Sequence, residues 1–380
     1  MKVCVVTGSR ADYGLLKNLM LMLKENPKID LQLVVTGMHL SDFFGNTLQE
    51  ILDDGFLVAS VIHTVPNHLT AGEIARSVGQ GIIEGSGELE RLNPDLVIVL
   101  GDRYETYAIA LSAYILGLPI GHIHGGELTQ GSIDEGLRHS ISKFASIHFT
   151  ATEKASKRVI QLGEQPERVF NVGSLGAENV SKIQKIEKKE LETRFGFQFG
   201  ESTLVVSYHP ATFNIQESKQ ELLNLLQTLR NKSINLIITY PNADTQGDQF
   251  AFLLQDFTSN RKNCWLIPSM GHENFLSTIH HADGLIGNSS SGVIEVPSLA
   301  RGSINIGKRQ VGREAGPSVI NASGSMESIE AAIKKLFSVP FRKNLDPSRN
   351  PYFKPNTAAE IHKLISGFHP HSQGKTFFDL

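Results

Sequence analysis

The strongest constraint on the fold is a repeating order of short apolar runs and longer, helix-compatible segments. Residues 3–6, 31–35 and 96–100 are apolar runs, and helix-compatible segments separate them from later runs. Such runs are typical of strands buried on both faces, and their alternation with helices predicts a parallel sheet. The same rhythm starts again at residues 203–208 and continues to residues 303–306. The sequence therefore predicts an α/β protein with two doubly wound, Rossmann-like parallel sheets.

The chain length and a shift in composition divide these sheets between two domains. At 380 residues the chain is longer than one ordinary core requires. Residues 180–194 are rich in Lys and Glu, which predicts a solvated connecting helix. Residues 357–368 predict an amphipathic closing helix, with Thr357 and Glu360 as a capping box. We expect an N-terminal domain of residues 1–172 plus 357–380 and a C-terminal domain of residues 173–356, facing each other across a cleft.

The charge balance and the hydropathy exclude several classes of protein. The 36 Lys and Arg against 39 Asp and Glu leave no basic excess for nucleic acid or an anionic membrane. No stretch approaches the ~20 apolar residues of a membrane span, and the N-terminus turns polar too early for a signal peptide. Cys4 and Cys264 lie in apolar runs, as buried reduced thiols do. These features predict a cytoplasmic enzyme.

Acidic side chains follow two of the predicted strands in the first half. Asp102 follows Gly101 at the end of the run at residues 96–100, and Glu127 ends the sequence HIHGGE, which begins within the next run. Asp134 and Arg138 are four residues apart, which places them on one face of a helix. Open α/β sheets bind ligands outside the carboxyl ends of their strands. We therefore expect these four residues to converge at one site.

In the second half, the sequence GNSSSGVIE at residues 287–295 lies between a predicted strand and a predicted helix. Serine hydroxyls, backbone N–H groups and a helix N-terminus suit a diphosphate, and Glu295 could accept hydrogen bonds from ribose hydroxyls. Arg10 and Arg309 follow other strands and would bring guanidinium groups to the same diphosphate. The spacing is not that of a P-loop, and GxGxxG is absent. A nucleotide-sugar fits this pattern.

An ordered set of motifs resembles one known family. The motifs are TGSRADYG from Thr7, VTGMH from Val35, GDR from Gly101, HIHGGE from His122, RHSISK from Arg138, HP at His209, PNAD from Pro241, GNSSSG from Gly287 and IGKRQVGRE from Ile306. Together they resemble the UDP-N-acetylglucosamine 2-epimerase family. Met38, where the non-hydrolysing branch is expected to carry Gln before His39, indicates the hydrolysing branch.

The resemblance implies a GT-B-like fold, UDP bound mainly by the second domain, neither metal nor cofactor, and a homodimer or homotetramer. Asp102, Asp134, Arg138 and His209 match active-site positions of the family. Some relatives have a catalytic Glu where this chain has His124, so either His124 or Glu127 would take that role. The substrate-binding candidates are Arg10, His39, Arg103, Asn242, Asn288, Ser289, Ser290, Ser291, Gly292, Glu295 and Arg309.

The expected reaction is conversion of UDP-N-acetylglucosamine and water to N-acetylmannosamine and UDP through a 2-acetamidoglucal. Three alternatives stay open: a 2-epimerase acting on UDP-N,N'-diacetylbacillosamine, a GT-B glycosyltransferase, and a non-catalytic nucleotide-sugar binder. Structural roles are also open for single residues. Asp102 could form an ion pair with Arg103, His122 could be a core histidine, and Glu127 and Asp134 could cap the following helix.

Overall fold

The computed structural model describes residues 1–41, 47–66, 68–241, 246–259, 261–268, 270–369 and 375–380. Its contacts divide the chain into two compact units. The first unit comprises Met1–Glu127, Asp134–Glu178 and Lys354–Leu380, and the second comprises Leu128–Ile133 and Asn179–Phe353. Each unit is built around one parallel sheet.

In the described part of the first unit, seven parallel strands form a sheet with the order β3-β2-β1-β4-β5-β6-β7. The strands are β1 (Lys2–Thr7), β2 (Asp30–Thr36), β3 (Val58–Ile62), β4 (Leu96–Leu100), β5 (Ile120–Ile123), β6 (Ile147–Thr150) and β7 (Val169–Asn171). The helices are α1 (Arg10–Glu25), α2 (Leu48–Asp53), α3 (Ala71–Leu92), α4 (Tyr104–Ile115), α5 (Ile133–Phe144), α6 (Glu153–Gln161), α7 (Leu175–Lys182) and, near the C-terminus, α15 (Thr357–Ser366). The strand order reverses between β1 and β4, so the loops after these two strands border the crevice where such sheets bind ligands.

The second sheet, again counted over described residues, has six parallel strands in the order β10-β9-β8-β11-β12-β13. They are β8 (Thr203–Ser207), β9 (Asn235–Thr239), β10 (Cys264–Ile267), β11 (Gly284–Gly287), β12 (Gly302–Ile306) and β13 (Val319–Ala322). The helices are α8 (Lys188–Phe195), α9 (Ile215–Leu229), α10 (Gly247–Ser259), α11 (His272–His281), α12 (Ser291–Ile294), α13 (Met326–Leu336) and α14 (Val339–Lys343). Here the order reverses between β8 and β11.

Burial on both faces of the strands explains why they read as continuous apolar runs. In β1, Val3 and Val5 pack into a core with helices α1 and α15. Cys4 and Val6 point to the opposite face and pack with α3, α4 and α5. All four side chains are at most 2% exposed, so alternation of side chains along the strand leaves no solvated face. The predicted pair of doubly wound parallel sheets is thereby confirmed.

Several local predictions differ from the structure. The single helix expected at residues 180–194 is two helices, α7 and α8, and Leu191 in α8 is fully buried. The helix after the serines, α12, is only one turn and continues as the 3-10 turn Val296–Leu299. Strands β3, β7 and β13 were not expected from the sequence. No described helix combines the length and the apolar character that crossing a membrane requires.

Candidate active site

The loop after β4 brings Asp102 into contact with Arg138, which lies on α5. An Arg138 guanidinium N–H donates to a carboxylate oxygen of Asp102. The Arg138 side chain is 6% exposed and that of Asp102 is 17% exposed, so the ion pair is partly shielded from water while the carboxylate keeps some access. The neighbouring Arg103 donates from Nε to Glu105 at 2.8 Å. The contact with Arg138 thus fixes the Asp102 carboxylate at the switch point of the first sheet.

His122 fixes the backbone that carries Asp102. Its Nε2 is 2.7 Å from the carbonyl oxygen of Gly101, and its Nδ1 is 3.0 Å from the Ser142 hydroxyl. A carbonyl oxygen only accepts, so Nε2 carries the hydrogen and Nδ1 accepts from Ser142. Burial lowers the pKa of His122 to about 3, which keeps the ring neutral. His122 is therefore a core histidine that ties the loop of Asp102 to helix α5.

The turn His124–Glu127 is closely packed. His124 has a φ of 64°, and its N–H donates to the Phe149 carbonyl oxygen at 2.9 Å. A Cβ on Gly125 would lie 2.9 Å from both His122 Nδ1 and Ser142 Oγ, so only glycine fits over that hydrogen bond. Both His124 and Glu127 are buried. Both side chains are therefore shielded from bulk water.

Asp134 lies in the first turn of α5, one turn before Arg138, and is half-buried. The predicted helix and the shared face of these two residues are confirmed. Arg138 donates a hydrogen bond to Asp102, and His122 bonds to the carbonyl oxygen of Gly101, the residue before Asp102. Asp134 lies on the same helix as Arg138. Asp102 and Glu127 thus follow strands β4 and β5 at the carboxyl edge of the first sheet, and Asp134 and Arg138 lie on α5.

Two other candidates of the first unit follow β1 and β2. Arg10 begins α1 directly after the N-cap residue Ser9; burial lowers the pKa of Arg10, and Glu50 opposes that shift. His39 is fully buried and uses both ring nitrogens, with Nε2 at 2.9 Å from Thr7 Oγ1 and Nδ1 at 2.6 Å from Thr47 Oγ1. A substrate contact by His39 would require one of these bonds to break.

Asp12 is a buried acid that the sequence reasoning missed. It lies in the first turn of α1 and is 8% exposed, and its Oδ2 has no hydrogen-bond partner among the described residues. Burial, and then the nearby Glu105 carboxylate, raise the pKa of Asp12 to about 7. The signal was present in the sequence as Ser9-x-x-Asp12 directly after a strand, a pattern typical of a helix N-terminus.

In the second unit, His209 and Asn288 are joined at the corresponding switch point. The His209 N–H donates to Asn288 Oδ1 at 2.7 Å, and Asn288 Nδ2 donates to the His209 carbonyl oxygen at 2.8 Å. Arg309 Nη1 donates to the Asn288 carbonyl oxygen at 3.2 Å, and Gln310 donates to the same oxygen at 2.9 Å. The Asn288 side chain is therefore occupied in positioning His209.

The serine turn, Ser289–Ser291, leads into the one-turn helix α12, with Ser290 as the N-cap residue. Ser289, Ser290 and Ser291 are half-buried, whereas Gly292 is buried and its carbonyl oxygen accepts from Ser303. Because α12 is so short, the dipole of a long helix is lacking here, and backbone N–H groups and hydroxyls are the available donors. Glu295 is the C-cap residue of α12, and its Oε2 has no partner among the described residues. Burial raises the pKa of Glu295 to about 7.

The substrate-binding candidate Asn242 lies outside the described residues. Within the described ranges, no group of three or more His, Cys, Asp or Glu side chains is placed to hold a metal ion.

Comparison with known proteins assigns a family to this architecture. Residues 21–366 match the family model described as UDP-N-acetylglucosamine 2-epimerase. The chain is 40% identical to polysialic acid biosynthesis protein P7 of Escherichia coli, over all of this chain and 97% of that one. It is 36% identical to a hydrolysing GDP/UDP-N,N'-diacetylbacillosamine 2-epimerase of Campylobacter jejuni, over 90% and 89% of the chains. The fold matches UDP-GlcNAc 2-epimerase from Neisseria meningitidis bound to UDP-GlcNAc, with a TM-score of 0.79, 20% identity and coverage of 96% and 100%.

Proposed function

Because the chain belongs to the hydrolysing branch of the UDP-N-acetylglucosamine 2-epimerase family, we propose that it converts UDP-N-acetylglucosamine and water into N-acetylmannosamine and UDP. The observation that carries this proposal is the Asp102 carboxylate, paired with Arg138 at the switch point of the first sheet. A carboxylate beside a guanidinium group suits stabilisation of positive charge and proton transfer.

The first chemical step would be loss of UDP from C1 of the sugar. The C2 hydrogen is not acidic, so the C1–O bond must break before or with its removal, and the electron pair leaves with UDP. An oxocarbenium-like carbon at C1 is stabilised by a nearby carboxylate. A base then takes the C2 proton, and the electrons of that C–H bond form the C1–C2 double bond of 2-acetamidoglucal. Asp102 is our candidate for one of these two carboxylates.

The second step would add water to this intermediate. The elements of water add across the C1–C2 double bond: OH bonds to C1 and a proton bonds to C2. The proton arrives on the face of C2 opposite to the face from which the first proton was removed, which inverts the configuration at C2. The candidates for the acid of this step are His124 and Glu127. Asp134 of the first unit and His209 of the second unit are further catalytic candidates. Because both His124 and Glu127 are buried, a variant of each is needed to assign the role.

UDP would be held by the serine turn of the second unit. Ser289, Ser290 and Ser291 offer hydroxyl and N–H donors, Arg309 lies against the same turn, and Arg10 supplies a further guanidinium group. The unpartnered carboxyl oxygen of Glu295 suits the ribose hydroxyls. That this turn and Asp102 contact one substrate molecule is the prediction on which the function depends.

The second candidate substrate is UDP-N,N'-diacetylbacillosamine, a 4-acetamido, 6-deoxy sugar. It is favoured by the similarity to the Campylobacter jejuni enzyme, whose name gives this substrate linked to GDP or UDP. The chemistry at C1 and C2 would be the same, so the two substrates differ only in the groups that surround C4 and C6.

Incubation in heavy water with NMR detection tests the function. With UDP-N-acetylglucosamine we expect UDP and free N-acetylmannosamine deuterated at C2. Turnover of the UDP- or GDP-linked diacetylbacillosamine derivative alone would support the second substrate. Release of a free sugar that keeps its C2 hydrogen would contradict elimination with either one, and transfer of the sugar to an acceptor would identify a glycosyltransferase.

A further inference from the structure

The segment Leu128–Ile133 lies between the two candidate carboxylates Glu127 and Asp134, yet it belongs to the second unit by its contacts. The residues on both sides of it, Glu127 and Asp134, belong to the first unit. The six-residue segment is therefore covalently attached at each end to a candidate catalytic group. Because the chain is continuous, the contacts that hold Leu128–Ile133 in the second unit also restrict the backbone positions of Glu127 and Asp134.

Arg313 makes two hydrogen bonds to the start of this segment. Its Nε donates to the Leu128 carbonyl oxygen at 2.6 Å, and its Nη2 donates to Thr129 Oγ1 at 3.1 Å. Thr129 is 2% exposed and Arg313 is half-buried. A guanidinium group donating in two directions fixes a partner more precisely than a single ammonium group can. Gly312 beside it has a φ of 88° and leaves room for the Leu128 side chain.

The end of the segment is held by the loop that comes after His209. The Phe213 N–H donates to the Gly131 carbonyl oxygen at 2.8 Å, and the Ile133 N–H donates to Thr212 Oγ1 at 2.8 Å. The four bonds, two at each end, engage the backbone or side chain of four of the six residues. Such a loop cannot shift without breaking hydrogen bonds in the second unit.

The loop that contains Arg313 and the loop after His209 both connect to Asn288, the residue directly before the serine turn. Arg309 and Gln310, in the loop of Arg313, donate to the Asn288 carbonyl oxygen, and the Asn288 side chain binds the backbone of His209. Arg313 also interacts electrostatically with Glu295 at the end of that turn. A continuous set of polar contacts therefore runs from the candidate UDP site to the segment between Glu127 and Asp134.

We propose that Arg313 is a positioning residue, which couples occupancy of the serine turn by UDP to the placement of Glu127 and Asp134 through the segment Leu128–Ile133. This inference rests on the proposed function. Arg313 acts through the segment and does not touch the reacting atoms. Small displacements of a catalytic group reduce turnover strongly, and a misplacement of about 1 Å can cost ~100-fold.

The variants Arg313→Gln, Arg313→Lys and Thr129→Val separate this role from nucleotide binding and from stability. Arg313→Gln should lower kcat for free-sugar release by about 30- to 100-fold, with the Kd for UDP changed less than about threefold and Tm unchanged. Arg313→Lys, which keeps the charge and one donor direction, should recover part of the loss. Thr129→Val removes one of the two bonds, and its effect should disappear in the Arg313→Gln background.

Lys308→Gln is the matched control for charge in the same loop. Lys308 is exposed and pairs with Glu217 at 3.0 Å, away from the segment. We expect this variant to keep the wild-type kcat.

Hydrogen exchange measured by mass spectrometry gives a readout that does not depend on activity. UDP should slow amide exchange in peptides covering residues 127–134 of the wild type and of Lys308→Gln, but not of Arg313→Gln. Equal protection in Arg313→Gln, or full kcat with weakened UDP binding, would overturn the proposal. If Arg313→Gln does not fold, Thr129→Val carries the same comparison. A wild type that releases no free sugar would reject the proposed function, while the exchange comparison would still decide the role of Arg313.

Discussion

At the scale of single residues, the site depends on how a few buried polar groups are satisfied. The neutral His122 ring joins the Gly101 carbonyl oxygen to Ser142, and Arg138 holds the Asp102 carboxylate. Each of these groups would be costly to bury alone, since an unsatisfied polar group costs about 1–3 kcal/mol. Catalytic candidates and structural residues are therefore parts of one hydrogen-bonded arrangement.

Asp102→Asn should abolish turnover while leaving UDP binding nearly unchanged. The amide keeps the size of the side chain but cannot serve as a base or stabilise positive charge, and loss of a general base costs about 10²- to 10⁴-fold. Release of free sugar by NMR and titration calorimetry with UDP measure the two quantities. Full activity in Asp102→Asn would reject the role that we assign to this residue.

Asp12 should make stability fall as pH rises from about 4 to about 7. Burial and Glu105 raise the pKa of Asp12 to about 7, with Arg103 acting in the opposite direction, whereas an unfolded Asp has a pKa near 3.9. Between these values the native state binds more protons at this position, so the free energy of unfolding decreases with pH, by up to about 1.4 kcal/mol per pH unit.

Urea unfolding at several pH values checks this effect in wild type and Asp12→Asn. The asparagine variant should lose the contribution, so its stability relative to wild type should be higher at pH 8 than at pH 5. Parallel pH profiles of the two proteins would show that Asp12 does not titrate in this range.

At the scale of elements, short turns rather than long helices carry the nucleotide candidates. The four-residue helix α12 and the loop of Arg309 meet at Asn288, and the hydroxyls of the serine turn stay half-buried. The expected capping box of the last helix is wrong for a related reason. Asn356 is the N-cap residue, and the Thr357 hydroxyl donates to the Val172 carbonyl oxygen at 2.8 Å instead. The Thr357 hydroxyl, which the local sequence pattern predicts to cap the helix, therefore makes a tertiary hydrogen bond.

Ser290→Ala should weaken UDP binding by about tenfold, the loss that corresponds to about 1.4 kcal/mol for one hydrogen bond. The backbone of the turn should be unaffected because the Ser290 side chain makes no capping hydrogen bond in α12. Titration calorimetry with UDP measures the change, and Ser298→Ala, outside the turn, provides a comparison. An unchanged Kd would indicate that the diphosphate does not contact this hydroxyl.

At the scale of the whole molecule, each unit has its own sheet, core and switch point, which allows ligand binding to be assigned to one of them. If the second unit holds UDP, UDP at 100 times its Kd should raise the free energy of unfolding by about 2.7 kcal/mol. Exchange protection should concentrate in peptides covering residues 287–295 and 307–313 and extend to residues 127–134, with little change in β2 and β3. Protection confined to the first unit would contradict this assignment.

The sequence by itself determined the class of fold and the places along the sheets where the candidate residues lie. Apolar runs mark strands buried on both faces, and the polar residues directly after each run lie at the carboxyl edge of its sheet. The positions of Asp102 and of the serine turn, each after a strand, were therefore predictable, and so was the helix that carries Arg138. Strands β3 and β7 were missed because edge strands are less completely apolar, as the half-exposed pattern of Val169–Asn171 illustrates.

Only the tertiary structure decided which polar groups are partners. The pairing of Asp102 with Arg138, the burial of Asp12, and the attachment of Leu128–Ile133 to the second unit all depend on residues distant in sequence. Local pattern places a side chain at the end of a strand. Its hydrogen-bond partners and its pKa result from the desolvation and the neighbouring charges that long-range packing creates.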